Sequence, residues 1–369
     1  MLMLVLSDFH LGKGKFLDNG QINILEDFEE DEKFAEFLDH YSTGTYYFSD
    51  VNVILNGDIF NLIQMDVDGI FTHLLTEDHI TKMVQEIIDG HPIFFQALRK
   101  FLARPNKKLT YVIGNHDIGM VFSKAQQLMM EEVGAPIEFT HQFVSTGVLV
   151  EHGHRFEPVN TVPRSKQIIT GPNKTPILNL PWASLFCIYL LPKLKEMRPF
   201  IDKVRPLSLY VKWTILYDFK FFLYLTWATT AYFIRTQFRP YGKYNKNFKM
   251  SLRQIFKIAV HPKYDKNAKR VLATRPDIKV VIMGHTHITE WRRFKDGRLY
   301  FNTGTWNQVP SVDAALHKTI SNLTYVCIEV NEKKGTITNA FLNVWQGKWR
   351  PYREEVMTAP HAFVKKTFK

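Results

Sequence analysis

The sequence predicts an α/β fold, because short apolar runs typical of buried strands alternate with polar stretches of helical length. An acid-rich stretch, Glu26–Asp39, predicts a helix with a solvated face. Two runs late in the chain, Leu323–Val330 and Thr336–Val344, predict a strand pair joined by a turn at Lys333–Gly335. Near-continuous apolar runs of four to six residues fit strands buried on both faces: Leu2–Leu6, Val51–Leu55, Leu109–Ile113, Gly147–Val150 and Ile278–Met283.

A basic region interrupts this alternation. Residues 161–275 carry 22 Lys and Arg against four Asp and Glu, although the whole chain has a formal charge of only +11. The region also contains apolar and aromatic blocks, Leu178–Leu191 and Leu207–Ile234. We therefore predict a core of residues 1–160 and 276–350, with a basic, apolar helical cap inserted at 161–275. The last helix of this insert belongs either to it or to the core, and residues 351–369 form a tail.

Composition limits the class of protein. The 369 residues are 45% hydrophobic and 22% charged, which excludes a disordered chain. The positive charge indicates a negatively charged substrate or partner. Two cysteines, Cys187 and Cys327, exclude a disulfide framework and predict a reducing compartment. Because the apolar run Met1–Leu6 is too short for a signal peptide, we predict a cytoplasmic protein.

Polar clusters follow five of the predicted strands. Ligands of α/β sheets bind outside the carboxyl ends of strands, so we expect these clusters to meet in one crevice. Each contains a carboxylate, an amide or an imidazole. The clusters are Asp8-Phe9-His10, Asn56-Gly57-Asp58, Gly114-Asn115-His116-Asp117, His152-Gly153-His154 and Gly284-His285-Thr286-His287.

The residue types in these clusters indicate a site for two divalent cations. Carboxylate and imidazole groups suit Mn²⁺, Fe, Zn²⁺ and Co²⁺, and the absence of Cys from the clusters argues against a structural zinc site. A carboxylate such as that of Asp58 bridges two ions about 3.5–4 Å apart in hydrolytic two-metal sites. We predict two divalent ions, with Mn²⁺ as the first choice.

Taken in order, the five motifs resemble the signature of the calcineurin-like metallophosphoesterases. The resemblance implies a two-sheet β-sandwich flanked by helices, and hydrolysis of a phosphoester or phosphoanhydride bond. It implies that His116 contacts the phosphate and assists the leaving group, while Asp117 either orients His116 or caps the turn. It also implies two overlapping ligand sets: Asp8, His10, Asp58 and His287 for one ion, and Asp58, Asn115, His152 and His285 for the other.

Three segments resemble, more narrowly, the UDP-diacylglucosamine hydrolase branch of lipid A biosynthesis: 7–12, 56–60 and 301–306. The best-known members carry Arg where this chain has His116, and Asp where it has His154. The resemblance implies a nucleotide-linked acylated sugar, such as a UDP-diacylated amino sugar. The positive charge and apolar surface of the insert indicate an amphiphilic phosphorylated substrate and a peripheral position at the inner face of a membrane. The candidates for binding this substrate are His154 and three basic residues that follow the fourth motif, Arg155, Arg164 and Lys166. The alternative for the basic residues is ordinary surface charge.

The basic insert and the reaction both leave alternatives. The insert is a packed helical subdomain, a monotopic membrane contact or acyl-chain pocket, or a membrane span. Its longest charge-free run, Phe221–Ile234, is shorter than the ~20 residues that a span requires. Basic and aromatic residues could instead bind nucleic acid, as in a nuclease or a soluble-nucleotide phosphodiesterase. A metal-site scaffold without turnover is a further alternative, and no protein partner is indicated.

Overall fold

Helices and strands alternate along the chain in the computed structural model. It describes residues 1–17, 19–199, 201–202, 207–237, 264–307, 309–310, 319–320 and 323–347. The predicted tail at 351–369 and parts of the predicted insert, 203–206 and 238–263, lie outside the described residues. The α-helices are α1 (Asp31–His40), α2 (Glu77–Gly90), α3 (Pro92–Leu102), α4 (Ser123–Val133), α5 (Trp182–Tyr189), α6 (Leu191–Met197), α7 (Leu207–Tyr217), α8 (Phe219–Gln237) and α9 (Tyr264–Thr274).

The strands form two main sheets and two short ribbons. They are β1 (Leu2–Leu6), β2 (Val51–Asn56), β3 (Lys107–Val112), β4 (Glu138–Thr140), β5 (Phe143–Ser145), β6 (Val148–Val150), β7 (Ile168–Thr170), β8 (Pro176–Leu178), β9 (Val280–Met283), β10 (Thr289–Arg293), β11 (Leu299–Thr303), β12 (Val309–Pro310), β13 (Thr319–Ile320), β14 (Thr324–Asn331) and β15 (Thr336–Val344). The first sheet has the order β15-β14-β1-β2-β3-β4, and β1 to β4 are parallel. The second has the order β10-β11-β9-β6-β5, with β6, β9 and β11 parallel.

The two sheets pack face to face and helices cover both outer faces. Met3 and Val5 of β1 face the second sheet and share a buried cluster with Val150 and Ile282. The alternate side chains of β1 pack instead against the helices α1 to α4. On the far side, α9 covers the second sheet through Ala268 and neighbouring apolar residues. The chain therefore has the predicted mixed α/β architecture of two sheets flanked by helices.

All seven strands predicted from apolar runs are present. Leu2–Leu6 and Thr336–Val344 have the predicted bounds, and the others differ by one or two residues at an end. Because most of these strands are buried on both faces, their sequences lack polar alternation and are easily recognised. Strand β10 was not predicted, because its sequence is mostly polar and four of its five residues are exposed.

The prediction for Glu26–Asp39 is wrong in its first part. Helix α1 begins only at Asp31, and Glu26 and Asp27 are buried in the preceding loop. The carboxylate of Glu26 accepts hydrogen bonds from the backbone N–H groups of Gly12 and Gly14. Without Glu26, these backbone N–H groups would have no acceptor. Their contact with Glu26 therefore overrides the local preference of this segment for a solvated helix.

The region predicted as a mostly helical insert begins with a β-ribbon of β7 and β8, which the sequence analysis did not predict. Helices α5 and α6 then contribute Leu185 and Leu194 to the same buried cluster as α1 to α4. The following hairpin of α7 and α8 has an apolar surface that is largely exposed, including Leu216 and Trp227. Within the described ranges, none of the helices has both the length and the apolar character needed to cross a membrane.

Candidate metal centre

The carboxyl ends of β1 and β2 continue side by side as loops and carry the first ligand candidates. The N–H of Asp8 donates to the carbonyl of Gly57 (3.1 Å), and that of His10 donates to the carbonyl of Asp58 (3.0 Å). Left-handed backbone is uncommon outside glycine. It nevertheless occurs at five ligand candidates, with φ between 53° and 72°: Asp8, His10, Asp58, His285 and His287. This concentration of strained backbone is typical of functional sites.

Glycine is required where these loops approach each other. A Cβ at Gly114 would lie 2.2 Å from Asp58 Oδ1, and a Cβ at Gly57, where φ is +80°, would lie 2.6 Å from the His152 ring. Any larger residue would therefore push Asp58 or His152 out of the site. The glycines of the second and third motifs thus allow the ligand side chains to converge.

One group of candidate ligands comes from β1 and from the loop after β9. Asp8, His10 and His287 each present a ligand atom within 4.8 Å of the others. Nε2 of His10 is 3.0 Å from Nε2 of His287, which in turn lies 3.3 Å from Asp8 Oδ1. Asp8 is fully buried, and its carboxylate also accepts the backbone N–H of His285 (3.0 Å).

A second group comes from β2, β6 and the loop after β9. Asp58, His152 and His285 again present ligand atoms within 4.8 Å of one another. Nε2 of His152 is 3.0 Å from Asp58 Oδ2, while its Nδ1 donates to the backbone carbonyl of Asn56 (2.8 Å). This second contact fixes the tautomer in which Nε2 is free for a metal.

Asp58 connects the two groups. It also lies within 4.8 Å of ligand atoms of His10 and His116, so it is shared between the His10 side and the His152 side of the site. Asn115 lies beside it, and its Oδ1 is buried with no hydrogen-bond partner in the part of the chain that the structure describes. A buried carbonyl oxygen without a partner is costly, and a cation would satisfy it.

The electrostatics of the site favour positive charge. Burial lowers the pKa of His152, but the carboxylates of Asp58 and Asp8 outweigh it and raise that pKa to about 10. The pKa of His10 is instead lowered to about 4 by burial and by His287. The two buried carboxylates thus stabilise positive charge beside them, which the proton on His152 supplies in this structure and which a metal ion would supply in its place. His10 stays neutral and can act as a ligand. These donors fit two divalent ions.

His116 lies at the edge of this centre. Its Nδ1 donates to Asn61 Oδ1 (2.8 Å), and its ring packs edge-on against the ring of His10 at 4.5 Å. Burial lowers the pKa of His116, and the neighbouring His10 lowers it further. The negative charge of Asp58 opposes this effect, and the resulting pKa is about 3. The partner that orients His116 is therefore Asn61, which the sequence analysis missed although it lies only three residues after Asp58.

Asp117 does not contact the His116 side chain. Its carboxylate accepts the N–H of Gly114 (2.6 Å), the N–H of Ile59 (2.9 Å) and the hydroxyl of Tyr111 (2.6 Å). Burial, and the nearby charge of Asp58, raise its pKa to about 6. Of the two roles considered for Asp117, these contacts match that of capping the turn that carries Asn115.

Glu157 is a second residue that the sequence analysis missed. Its carboxylate lies 3.1 Å from His285 Nε2. Although burial raises the pKa of Glu157, His285 lowers it to about 2. The ionised carboxylate accepts the proton of His285 Nε2, which leaves Nδ1 as the nitrogen available to a metal. Its position five residues after His152 gives no local signal, because the contact depends on how the loop after β6 folds back.

The four candidates for substrate binding separate in the structure. His154 lies within the centre, with ring centroids 5.5 Å from His152 and 6.4 Å from His285. Arg155 is exposed and pairs with the buried Glu151. Arg164 and Lys166 are exposed in a short turn before β7. The structure thus brings His154 to the metal ligands and leaves the other three on the surface.

A basic cavity borders the centre on another side. It has a volume of about 890 Å³, lies between α9 and β10, and reaches Thr286, which separates His285 from His287. Six basic residues line it against three acidic ones, so its charge suits an anion. The basic residues are Lys266, Lys269, Arg292, Arg293, Lys295 and Arg298. No sequence motif marked this cavity, because its residues come from two separate elements.

Behind the first motif, buried His91 holds the acidic loop. Its Nδ1 lies 3.0 Å from Asp31 Oδ1, and its Nε2 lies 3.3 Å from Glu26 Oε2. Burial lowers the pKa of His91, but both carboxylates raise it, to about 9. Since Glu26 binds the backbone of Gly12 and Gly14, the charged imidazole stabilises the loop that follows His10.

We expect stability to fall at alkaline pH through His91. Folding raises its pKa from 6.5 to about 9. Its contribution is therefore fully present below pH 6.5 and is lost as the pH rises towards 9. The loss is at most on the order of 3 kcal/mol. Urea unfolding of wild type and His91→Gln at pH 6.5 and 9.5 measures it, with His40→Gln as a control. An equal pH dependence in all three proteins would contradict the assignment.

Comparisons with known proteins leave the function to be argued from these side chains. The chain matches no family model and no curated protein. Among solved structures, a dimetal phosphatase from Danio rerio aligns with a TM-score of 0.37 and 10% identity, covering 94% of this chain and 99% of that one. The calcineurin-like phosphoesterase YfkN from Bacillus subtilis gives 0.35 and 11%, covering 95% and 92%. Zinc-complexed Vps29 from Entamoeba histolytica gives 0.30 and 13%, covering 94% and 100%.

Proposed function

We propose that the protein is a dinuclear metallophosphoesterase that hydrolyses a phosphoester or phosphoanhydride bond. The observation that carries this proposal is the pair of Asp/His groups joined through Asp58. Two divalent cations held there would activate a water molecule and neutralise the charge that develops on the phosphoryl group. Mn²⁺ is our first choice of metal, with Fe, Zn²⁺ and Co²⁺ as alternatives.

Each of these side chains has its own proposed role in the reaction. Asp8, His10 and His287 would hold one ion, and His152, His285 and Asn115 would hold the other, with Asp58 available to both. His116 is kept in one tautomer by Asn61, which leaves its second ring nitrogen without a proton. This nitrogen would take a proton from the attacking water and then donate it to the leaving group. His154 lies close enough to His152 to contact a bound phosphate group.

Hydrolysis of bis-p-nitrophenyl phosphate tests the reaction class. Protein stripped with a chelator is assayed alone and after addition of Mn²⁺, Fe²⁺, Zn²⁺ or Co²⁺. We expect no turnover without metal and the highest turnover with Mn²⁺. Tight binding of two metal ions without hydrolysis of this or any other phosphoester would instead identify a non-catalytic metal scaffold.

We further propose that the substrate is an amphiphile at the inner membrane face, such as a UDP-diacylated amino sugar. The support is the exposed apolar surface of α7 and α8, where Trp227 is 67% and Leu216 72% exposed. Apolar side chains of this kind enter a bilayer interface, and adjacent basic residues are attracted to anionic lipid by about 1 kcal/mol each. The basic cavity beside Thr286 also suits the negative charge of such a substrate.

The test compares a UDP-diacylated sugar with its deacylated analogue and measures flotation with anionic and zwitterionic liposomes. We expect faster cleavage of the acylated compound and binding to anionic vesicles only. Trp227→Ser should weaken both. Trp291→Ser removes a Trp of similar exposure (62%) from β10 and should change neither. Faster cleavage of the deacylated compound or of oligonucleotides, without vesicle binding, would favour a nuclease or a soluble-nucleotide phosphodiesterase.

A further inference from the structure

A lysine of the insert is buried inside the core. Lys195 of α6 has no exposed surface, and its Nζ lies 3.0 Å from Asp27 Oδ1, 2.8 Å from Asp202 Oδ2 and 3.4 Å from Gln64 Oε1. Burial lowers the pKa of Lys195, but the two carboxylates raise it above its ordinary range, so the amine is charged. A buried ammonium group is tolerated only with such partners.

Asp27 links Lys195 to Asn61, which lies beside the candidate metal centre. While Oδ1 accepts from Lys195, Oδ2 accepts from Asn61 Nδ2 at 3.4 Å. Asn61 is 1% exposed, and its Oδ1 faces His116 Nδ1 at 2.8 Å. The Asn61 amide is therefore held between the Asp27 carboxylate, which can only accept a hydrogen bond, and His116 Nδ1, which donates one to the amide oxygen.

This arrangement allows one orientation of the Asn61 amide. If the amide were flipped, its carbonyl would face the Asp27 carboxylate and its NH₂ would face His116 Nδ1. Two acceptors would then meet on one side, and His116 would have to give up its Nδ1 proton on the other. The negative charge of Asp27 thus selects the tautomer of His116, and Lys195 is the counter-ion of that charge within the core.

We propose that Lys195 and Asp27 are positioning residues that act on His116 through Asn61, so that the insert contributes to the reaction by fixing one tautomer of the catalytic imidazole. This inference rests on the proposed function, since it concerns how His116 is prepared for proton exchange. It predicts an effect on turnover rather than on binding of the substrate, because the hydrogen bonds from both residues lead through Asn61 to His116.

Kinetics on bis-p-nitrophenyl phosphate test the proposal through Lys195→Met, Asp27→Asn and Asn61→Ala. We expect Lys195→Met and Asp27→Asn to lower kcat by about 10- to 100-fold, the usual effect of losing an outer hydrogen-bond partner, with KM and metal content unchanged. In the Asn61→Ala background, Lys195→Met should have no further effect on kcat, because Asn61, which links Asp27 to His116, has been removed. Additive losses in the double variant would overturn the proposal.

Lys107→Met is the matched control. Lys107 is also buried, but its Nζ donates to backbone carbonyls such as that of Ser49, at the end of β3 opposite to His116. It should lower stability without changing kcat of the folded protein. An equal fall in kcat in Lys107→Met would show that Lys195 acts only through general stability. If Lys195→Met does not fold, Asp27→Asn, which keeps the size of the side chain, decides the result.

A measurement without turnover separates this proposal from the proposed function. In protein labelled with ¹⁵N-histidine, the His116 signals, identified by their loss in His116→Ala, report which ring nitrogen is protonated. We expect Nδ1–H in wild type and a mixture of tautomers in Asp27→Asn. If Asp27→Asn shows this change of tautomer but wild type cleaves no phosphoester, the proposed function fails and the positioning network stands. If wild type cleaves phosphoesters but the tautomer is unchanged in Asp27→Asn, the network fails alone.

Discussion

Asp58→Asn is expected to abolish binding of both metal ions and to reduce phosphoester hydrolysis by a factor on the order of 10³ or more. Asp58 is the residue shared by the group around His10 and the group around His152 and His285. Its φ of 53° suits Asn, which adopts left-handed backbone readily, so the loop should keep its conformation. The loss would then reflect the missing negative charge rather than a changed fold.

Elemental analysis of purified protein measures the metal content of this variant. His10→Asn is the matched comparison, because His10 also has a left-handed backbone, with φ of 55°, and belongs to the edge of the site. We expect it to lose less metal than Asp58→Asn, with circular dichroism showing that both are folded. Two equivalents of metal still bound to Asp58→Asn would refute a bridging role.

The strands and the metal cluster were predictable because both depend on local patterns. In β1, Met3 and Val5 enter the space between the sheets while Leu4 and Leu6 pack against helices, so the whole strand is apolar. The polar residues that follow such strands necessarily meet at one edge of the sandwich. Knowing where the apolar runs end was therefore enough to bring Asp8, Asp58 and His152 together.

The residues that support the cluster were not predictable in this way. Glu26 and Asp27 look like the start of a solvated acidic helix, yet both are buried by contacts with groups far away in the chain. Lys195 is one of many basic residues in the insert, and nothing in its sequence neighbours indicates that it lies inside the core. Buried charge depends on its partners, and one of the two carboxylate partners of Lys195, Asp27, is 168 residues away.

The candidates for substrate binding also show what could not be predicted from the order of residues along the chain. Arg155 was selected because it follows the fourth motif, but it pairs with Glu151 on the surface. The basic cavity beside Thr286 instead combines residues of α9 and β10, whose proximity is set by the second sheet. Sequence order identified the ligand candidates that the structure brings together, whereas the surroundings that would recognise a substrate follow from the packing of distant elements.

His116 should be needed for turnover and not for metal binding. His116→Ala is expected to lower kcat by roughly 10²–10⁴-fold, the usual contribution of a positioned acid or base. A ring nitrogen of His116 lies within 4.8 Å of ligand atoms of His10 and Asp58, so geometry alone allows it to be a ligand. Its Nδ1, however, is already bound to Asn61, which favours a role in proton exchange.

Metal content and chemical rescue distinguish the two roles of His116. If the residue exchanges protons, His116→Ala keeps two equivalents of metal, and added imidazole restores part of kcat, because the cavity left by the ring can admit a small base. His154→Ala removes an imidazole from the same centre that has no contact with Asn61, and we expect it to raise KM rather than lower kcat. Turnover of His116→Ala equal to wild type, or loss of one metal ion, would exclude His116 as the acid–base residue and make it a ligand or a bystander.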